Sequence, residues 1–153
     1  MPWQRGRETI ERLLGSDELE QVTPSEGLAA RLVDDATVHL ESAEAIRATD
    51  PTGAYQLAYD AARKACSALL ALQGLRATTR GGHVAVQDAV REQFGPVFAP
   101  YGRMRRRRRD SEYPDVATPS ITGSDADEGI AQAAEMVDAA EKLIESGQLP
   151  PFR

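Results

Sequence analysis

DPTGAYQLAYDAARKACSALLALQG, residues Asp50 to Gly74, decides the fold. Asp50 suits a helix N-cap and Pro51 the first helical position, where a missing N–H costs nothing. Gly74 suits the other end, where a helix closes in a left-handed conformation. Between them stand Ala54, Ala58, Ala61, Ala62, Ala65, Ala68 and Ala71. Alanine is the strongest helix former, and its small side chain lets neighbouring helix axes approach closely. Tyr55, Tyr59, Leu69 and Leu72 supply bulk, and Arg63 and Lys64 give a basic edge. The stretch predicts a packed helix over residues 51–73.

Working outward, Thr23-Pro24-Ser25-Glu26 predicts a preceding helix, with Thr23 as N-cap, Pro24 first and Glu26 third in a capping box. Leu28, Leu32, Ala36, Leu40 and Ala43 recur at helical spacing, and the pattern runs to about Ala48. The turn to Asp50 is tight, so the two helices should be antiparallel neighbours. Upstream, Ile10, Leu13 and Leu14 lie on one side of a short helix over 7–14 that Gly15 would stop. Trp3 reads equally as a packing residue or as part of a free end. Residues 1–22 therefore form an N-terminal segment, 23–147 a bundle and 148–153 a tail.

Downstream, Leu75 to Gly82 reads as a connection. Gly81-Gly82-His83 opens a third helix with Val86, Ala89, Val90 and Phe94 as its apolar face, closed by Gly95-Pro96. A fourth helix spans about 97–113, and residues 114–123 form a loop. Ser124 then caps a last helix, with Asp125, Asp127 and Glu128 near its positive end. Its apolar stripe is Ile130, Ala133, Val137, Ala140 and Ile144, and Gly147 ends it. The sum is an all-α, up-down antiparallel bundle of four to five helices.

Composition agrees. Of 153 residues 41% are hydrophobic but only 5% aromatic, which favours helices over a sheet. A single cysteine, Cys66, excludes an internal disulfide and the usual cysteine-based metal sites; it should be buried and inert. Neither a metal nor another cofactor is called for. No long apolar stretch suggests a signal peptide or membrane span, so a soluble cytoplasmic protein is expected. A pI near 5.0 argues against wholesale coating of nucleic acid, though a local basic patch can still hold phosphate.

Such a patch exists. RMRRRRRDSEYP, Arg103 to Pro114, holds six arginines in a chain of net charge −6. A helix turns about 100° per residue, so Arg105, Arg106, Arg107, Arg108 and Arg109 must point all round it. Some must therefore lie against another helix or a second subunit. Asp110, Glu112 and Tyr113 offer carboxylates and a phenol to the same guanidinium groups, and Pro114 ends the helix. Two readings stay open: a structural ion-pair network, or a cleft for phosphate or RNA. His83, behind two glycines at a helix start, is a further candidate for holding an anion. His39 should be exposed, and Tyr55 and Tyr59 should belong to the core or to a dimer interface.

The helical hairpin with Tyr55, Tyr59 and Asp60-Ala-Ala-Arg-Lys64, then Gly74-Leu75-Arg76, Gly82-His83 and Arg109-Asp110-Ser-Glu112-Tyr113-Pro114, resembles the HEPN superfamily of small helical bundles. In particular it resembles an actinobacterial branch whose fourth helix ends Arg-Asn/Asp-x-Glu-Tyr-Pro, over about Ser25 to Gly147. The resemblance implies a homodimer whose arginine helices meet across a cleft. It implies RNA as ligand, a role in a prokaryotic toxin–antitoxin or defence module, and in some members a nucleotidyltransferase-fold partner that adds AMP to a tyrosine. Tyr113 stands at the matching position. Catalytic members are metal-independent ribonucleases with an arginine, a polar residue and then a histidine. Arg109-Asp110 fits the opening, but Pro114, Asp115 and Val116 stand where the histidine belongs, and His39 and His83 are both upstream.

That absence matters because cleavage through the 2′-hydroxyl needs a group to take its proton. Histidine suits the task, while arginine stays protonated. The resemblance leaves Arg109 and Tyr113 as the catalytic pair, with Asp110 and Glu112 in support, and ribonuclease activity absent or slow. The alternative is a non-catalytic antitoxin or adaptor that masks a partner enzyme such as a nucleotidyltransferase.

Overall fold

The computed structural model describes residues 3–153. In order, the chain forms α1 (Arg7–Gly15), β1 (Leu19–Gln21), α2 (Glu26–Ile46), α3 (Pro51–Gln73), β2 (Leu75–Ala77), α4 (Gly82–Phe94), a 3₁₀ turn (Pro96–Phe98), α5 (Pro100–Glu112) and α6 (Gly123–Ser146). This is an all-α bundle with one small antiparallel ribbon.

Helix α3 is the axis. Asp50 caps it by accepting from the Gly53 N–H at 2.9 Å, and Gly74 closes it in the left-handed region. All seven alanines named above are buried, as are Tyr55, Tyr59, Cys66, Leu69 and Leu70. Helices α2 and α6 pack along α3 and touch each other, while α4 and α5 cover another side. Ser25 N–H meets the Ala71 carbonyl at one end of the first pair and a short turn joins Ile46 to Pro51 at the other, so α2 and α3 are antiparallel.

Several boundaries differ from the sequence reading. Ser25, rather than Thr23, caps α2, and its hydroxyl accepts from Leu28 N–H at 3.0 Å. The cause is the ribbon: Val22 N–H still bonds the Gly74 carbonyl at 2.8 Å, which holds the chain extended past Thr23. The buried stripe of α2 is Ala29, Val33, Ala36 and Ala43, so the helix is rotated and Leu28 stays 41% exposed. Thr122, rather than Ser124, caps α6 in a reciprocal box with Asp125. Helix α5 starts at Pro100, because residues 96–98 form the separate 3₁₀ turn, and it ends at Glu112 just before Tyr113-Pro114.

The ribbon pairs Leu19 with Ala77, Glu20 with Arg76 and Gln21 with Leu75. It ties the N-terminal segment to the end of α3, and Ile10 and Leu13 of α1 enter the common core. Leu149 and Phe152 of the tail enter it as well, with Phe152 N–H bonded to the Gln73 carbonyl at 2.8 Å. Trp3 packs on Phe94 with ring centroids 5.6 Å apart, which settles its role. Among the described residues, no helix is long and apolar enough to cross a membrane.

One polar pair is sealed inside. Gln73 and Gln93 are 1% and 0% exposed and exchange two amide hydrogen bonds, at 2.7 and 3.0 Å. They join the C-terminal ends of α3 and α4. A lone buried amide loses its partner and keeps its desolvation cost. Gln73→Met should therefore destabilise the fold by about 1–3 kcal/mol in urea denaturation, and adding Gln93→Met should recover part of the loss. Additive losses from the two substitutions would contradict the pairing.

Candidate anion site on the arginine helix

Helix α5 sorts its arginines by direction. Tyr101 and Met104 face the core and are buried. Arg103 and Arg107, four apart, reach α6: Arg103 pairs with Glu128 at 3.1 Å and Arg107 with Asp125 at 2.9 Å. Arg107 also donates to the Ser120 carbonyl at 3.3 Å. Asp125 thus serves both the α6 cap and this pair. The Thr122 backbone N–H, helped by the Thr122 hydroxyl and Arg107, holds its carboxyl below the usual range. These two arginines share a recess of about 350 Å³ with Tyr55, Asp125 and Glu128, where two positive and two negative charges balance.

Arg105 and Arg108 turn towards α4 and α3. Arg105 Nε donates to Gln87 Oε1 at 3.3 Å. Gln87 can lie there because residue 102 is glycine: a Cβ would come within 2.7 Å of the Gln87 amide. The Arg108 guanidinium sits 5.6 Å from the centroid of the Tyr59 ring and pairs with Glu112 at 3.0 Å. Its Nε is buried with no hydrogen-bond partner among the described residues. Arg106 and Arg109 face solvent. Arg109 has a loose pair with Asp110 at 3.4 Å, and Arg106 has no ion pair among the described residues.

His83 joins this cluster from the first turn of α4. Its Nδ1 is hydrogen-bonded to the Tyr59 hydroxyl, which lies 3.2 Å from the Tyr101 hydroxyl. The His83 and Tyr59 rings are nearly parallel, with centroids 5.8 Å apart. Burial raises the pKa of both phenols, so both keep their protons. The arrangement that satisfies every group runs Tyr101 O–H to Tyr59 oxygen and Tyr59 O–H to His83 Nδ1. This leaves the imidazole proton on Nε2. Burial lowers the His83 pKa first, and the charges of Arg63, Arg108 and Arg105 lower it further against a small opposing effect of Asp60. Neutral His83 therefore offers an N–H donor beside three guanidinium groups. That suits binding an anion better than removing a proton.

The sequence-derived candidates divide accordingly. Arg105, Arg108 and His83 come together, whereas Arg107 is taken up by α6. Arg109 and Tyr113 make no hydrogen bond or ring contact with His83, Tyr59 or Tyr101 among the described residues, and Tyr113 is 79% exposed. Asp110 serves Arg109 and Glu112 serves Arg108. His39, expected to be exposed, is half-buried with Nε2 2.8 Å from Lys64 Nζ. Tyr59, Tyr101, Arg63 and Gln87 were not singled out as site residues. The one available signal was Tyr59 and Arg63 standing four apart on one face of α3, which pointed equally to packing.

Comparison with protein-family models, with curated proteins and with solved structures finds no match for this chain.

The lowered His83 pKa fixes the sign of a pH effect. The unfolded imidazole titrates near 6.5 and the folded one below it. Between the two values the unfolded chain binds more protons, so stability rises with pH, is complete above 6.5 and is lost as pH falls below it. Ring-proton NMR should place the His83 titration below 6.5 with Nε2 protonated at neutral pH. His83→Asn should remove that part of the acid destabilisation. A His83 midpoint at or above 6.5 would contradict the buried, arginine-flanked environment.

Proposed function

We propose that this chain is a HEPN-type component of a prokaryotic toxin–antitoxin or defence module, and that it binds RNA through the phosphate backbone along α5. The observation that carries the reading is the cluster of Arg105, Arg108 and His83 with the outward Arg106 beside it, in a chain whose net charge is −6. A protein with an overall negative charge repels a polyanion everywhere except at such a patch. Half of the arginines in the run are neutralised by carboxylates: Arg103 by Glu128, Arg107 by Asp125 and Arg108 by Glu112. Arg105 and Arg106 have none among the described residues, and they supply the free charge.

The resemblance adds a homodimer that joins two such patches into one cleft, and a nucleotidyltransferase-fold partner. The exposed Tyr113 is open to modification with AMP; a phosphate added there would stand one helical turn from Arg109, where it could pair with a guanidinium and occupy the cleft. Ribonuclease activity should be absent or slow, because His83 carries its proton on the nitrogen that would face the substrate. The second reading, an adaptor or antitoxin that masks a partner enzyme, is favoured by the exposed Tyr113 and Val116 at the end of α5.

Binding of single-stranded RNA, measured by fluorescence anisotropy across salt concentrations, separates the two readings. On the RNA reading, log affinity falls linearly with log salt, and Arg106→Ala with Arg109→Ala reduces the slope by about 2. The same RNA incubated with the protein in EDTA should stay intact or be cut only slowly. Equal affinity and equal slope in the double variant would remove α5 from the binding surface. No binding by the wild-type dimer or monomer would leave the adaptor reading.

A further inference from the structure

A groove of about 740 Å³ opens on the other side of His83, between α2, α3, β2 and the first turn of α4. We infer that it binds a small amphipathic organic anion: an aliphatic chain ending in a carboxylate or phosphate. The ligand differs from RNA, and the inference stands whether or not RNA binds α5.

The groove's walls are aliphatic. Leu28 and Leu32 come from α2, Leu70 from α3 and Val86 from α4. Leu28 and Leu32 belong to the apolar series of α2, yet the helix turns its alanines and Val33 to the core instead. Leu28 remains 41% exposed and Leu32 half-buried. Leaving such side chains in water forgoes about 25 cal/mol for each Å² that could be covered. The volume falls within the roughly 300–1,000 Å³ typical of small-ligand sites.

The polar groups are grouped and carry one sign. Arg63 and His83 meet at the inner end of the groove, and Arg76 stands on its lining; no aspartate or glutamate lines it. In a chain with 24 acidic residues that exclusion is selective. Arg76 is held by Glu20 at 2.5 Å, so it belongs to the ribbon. Arg63 is looser. Its nearest carboxylate, Asp60, is 3.7 Å away, and both side chains are 34% exposed. An anionic head group would therefore bind Arg63 and the His83 Nε2–H, with its chain lying towards Leu28 and Leu32. Ser67, one turn beyond Arg63 on α3, adds a hydroxyl between head and chain.

An aliphatic body fits better than a nucleobase. Bases are held by stacking on exposed aromatic faces. Tyr101 is the only aromatic ring besides His83 on the lining, and it is itself stacked on Tyr59 with centroids 5.6 Å apart. It is also 1% exposed.

Isothermal titration with decanoate, decyl phosphate, decanol and AMP tests this, each kept below its aggregation threshold. Both decyl anions should bind, and decanol should bind at least about tenfold more weakly, the loss expected for one charge-assisted contact. Arg63→Gln should weaken both anions by about tenfold while leaving decanol unchanged. Leu28→Glu, at an exposed position, should abolish anion binding while circular dichroism stays that of the wild type. No binding of either decyl anion to folded wild-type protein would overturn the proposal, as would tighter binding of AMP. So would decanoate binding that both variants leave unchanged. If Leu28→Glu instead converts a dimer into a monomer and decanoate never binds, the groove is an interface between copies and the proposal falls.

Discussion

The fold depends on how closely other helices can approach α3. Seven alanines on this helix are buried, together with Cys66, and no large side chain separates its axis from α2 and α6. Gly129 on α6 carries the same constraint, since a Cβ there would come within 2.9 Å of the Tyr55 ring. Burying alanine contributes little per residue, so this core relies on tight packing along the length of the helices and on a few large groups at its ends. Tyr59, Leu69, Tyr101, Phe98 and Met104 are those groups. Replacing any of the alanines by a larger residue would push α2 or α6 away and disturb the seat of α5 as well.

That seat governs the chemistry. Helix α5 has only a short apolar stripe, Tyr101 and Met104, and next along this stripe comes Arg108. An arginine so placed must be stabilised by something other than apolar packing. Tyr59 provides its ring face, Glu112 its charge, and the remaining Nε stays without a partner. The phenol of Tyr59 is meanwhile fixed between Tyr101 and His83. One residue of α3 thereby couples the arginine run to the histidine. The two sides of His83 differ: guanidinium groups from α5 lie on one, and an aliphatic groove edged by Arg63 on the other.

Much of the fold was legible in the sequence. Asp50-Pro51 and Gly74 bounded α3 as observed, because cap chemistry is local and the alanine pattern leaves no competing structure. The need for some arginines to face other helices also followed from helical geometry alone. The ribbon was not legible: its strands are three residues each, and nothing in so short a segment distinguishes a strand from a connection. The rotation of α2 was missed for a related reason, since Leu28, Leu32 and Leu40 outweigh Ala29, Val33 and Ala36 in any apolar series, although close packing against α3 favours the smaller set. The site was legible only in part. His83 and the arginine run are conspicuous, but the residues that join them, Tyr59 and Gln87, look like ordinary core and surface positions.

The central claim is that His83 and the inward arginines of α5 form one anion site, while Arg103 and Arg107 are structural. Heteronuclear NMR of arginine Nε and histidine ring nitrogens during titration with a short single-stranded RNA tests it most directly. The account predicts that the resonances of His83 Nε2, Arg105, Arg106 and Arg108 move together and saturate at one concentration, while those of Arg103 and Arg107, paired to α6, stay in place. Shifts confined to Arg103 and Arg107, or a His83 resonance unmoved while the others saturate, would contradict it.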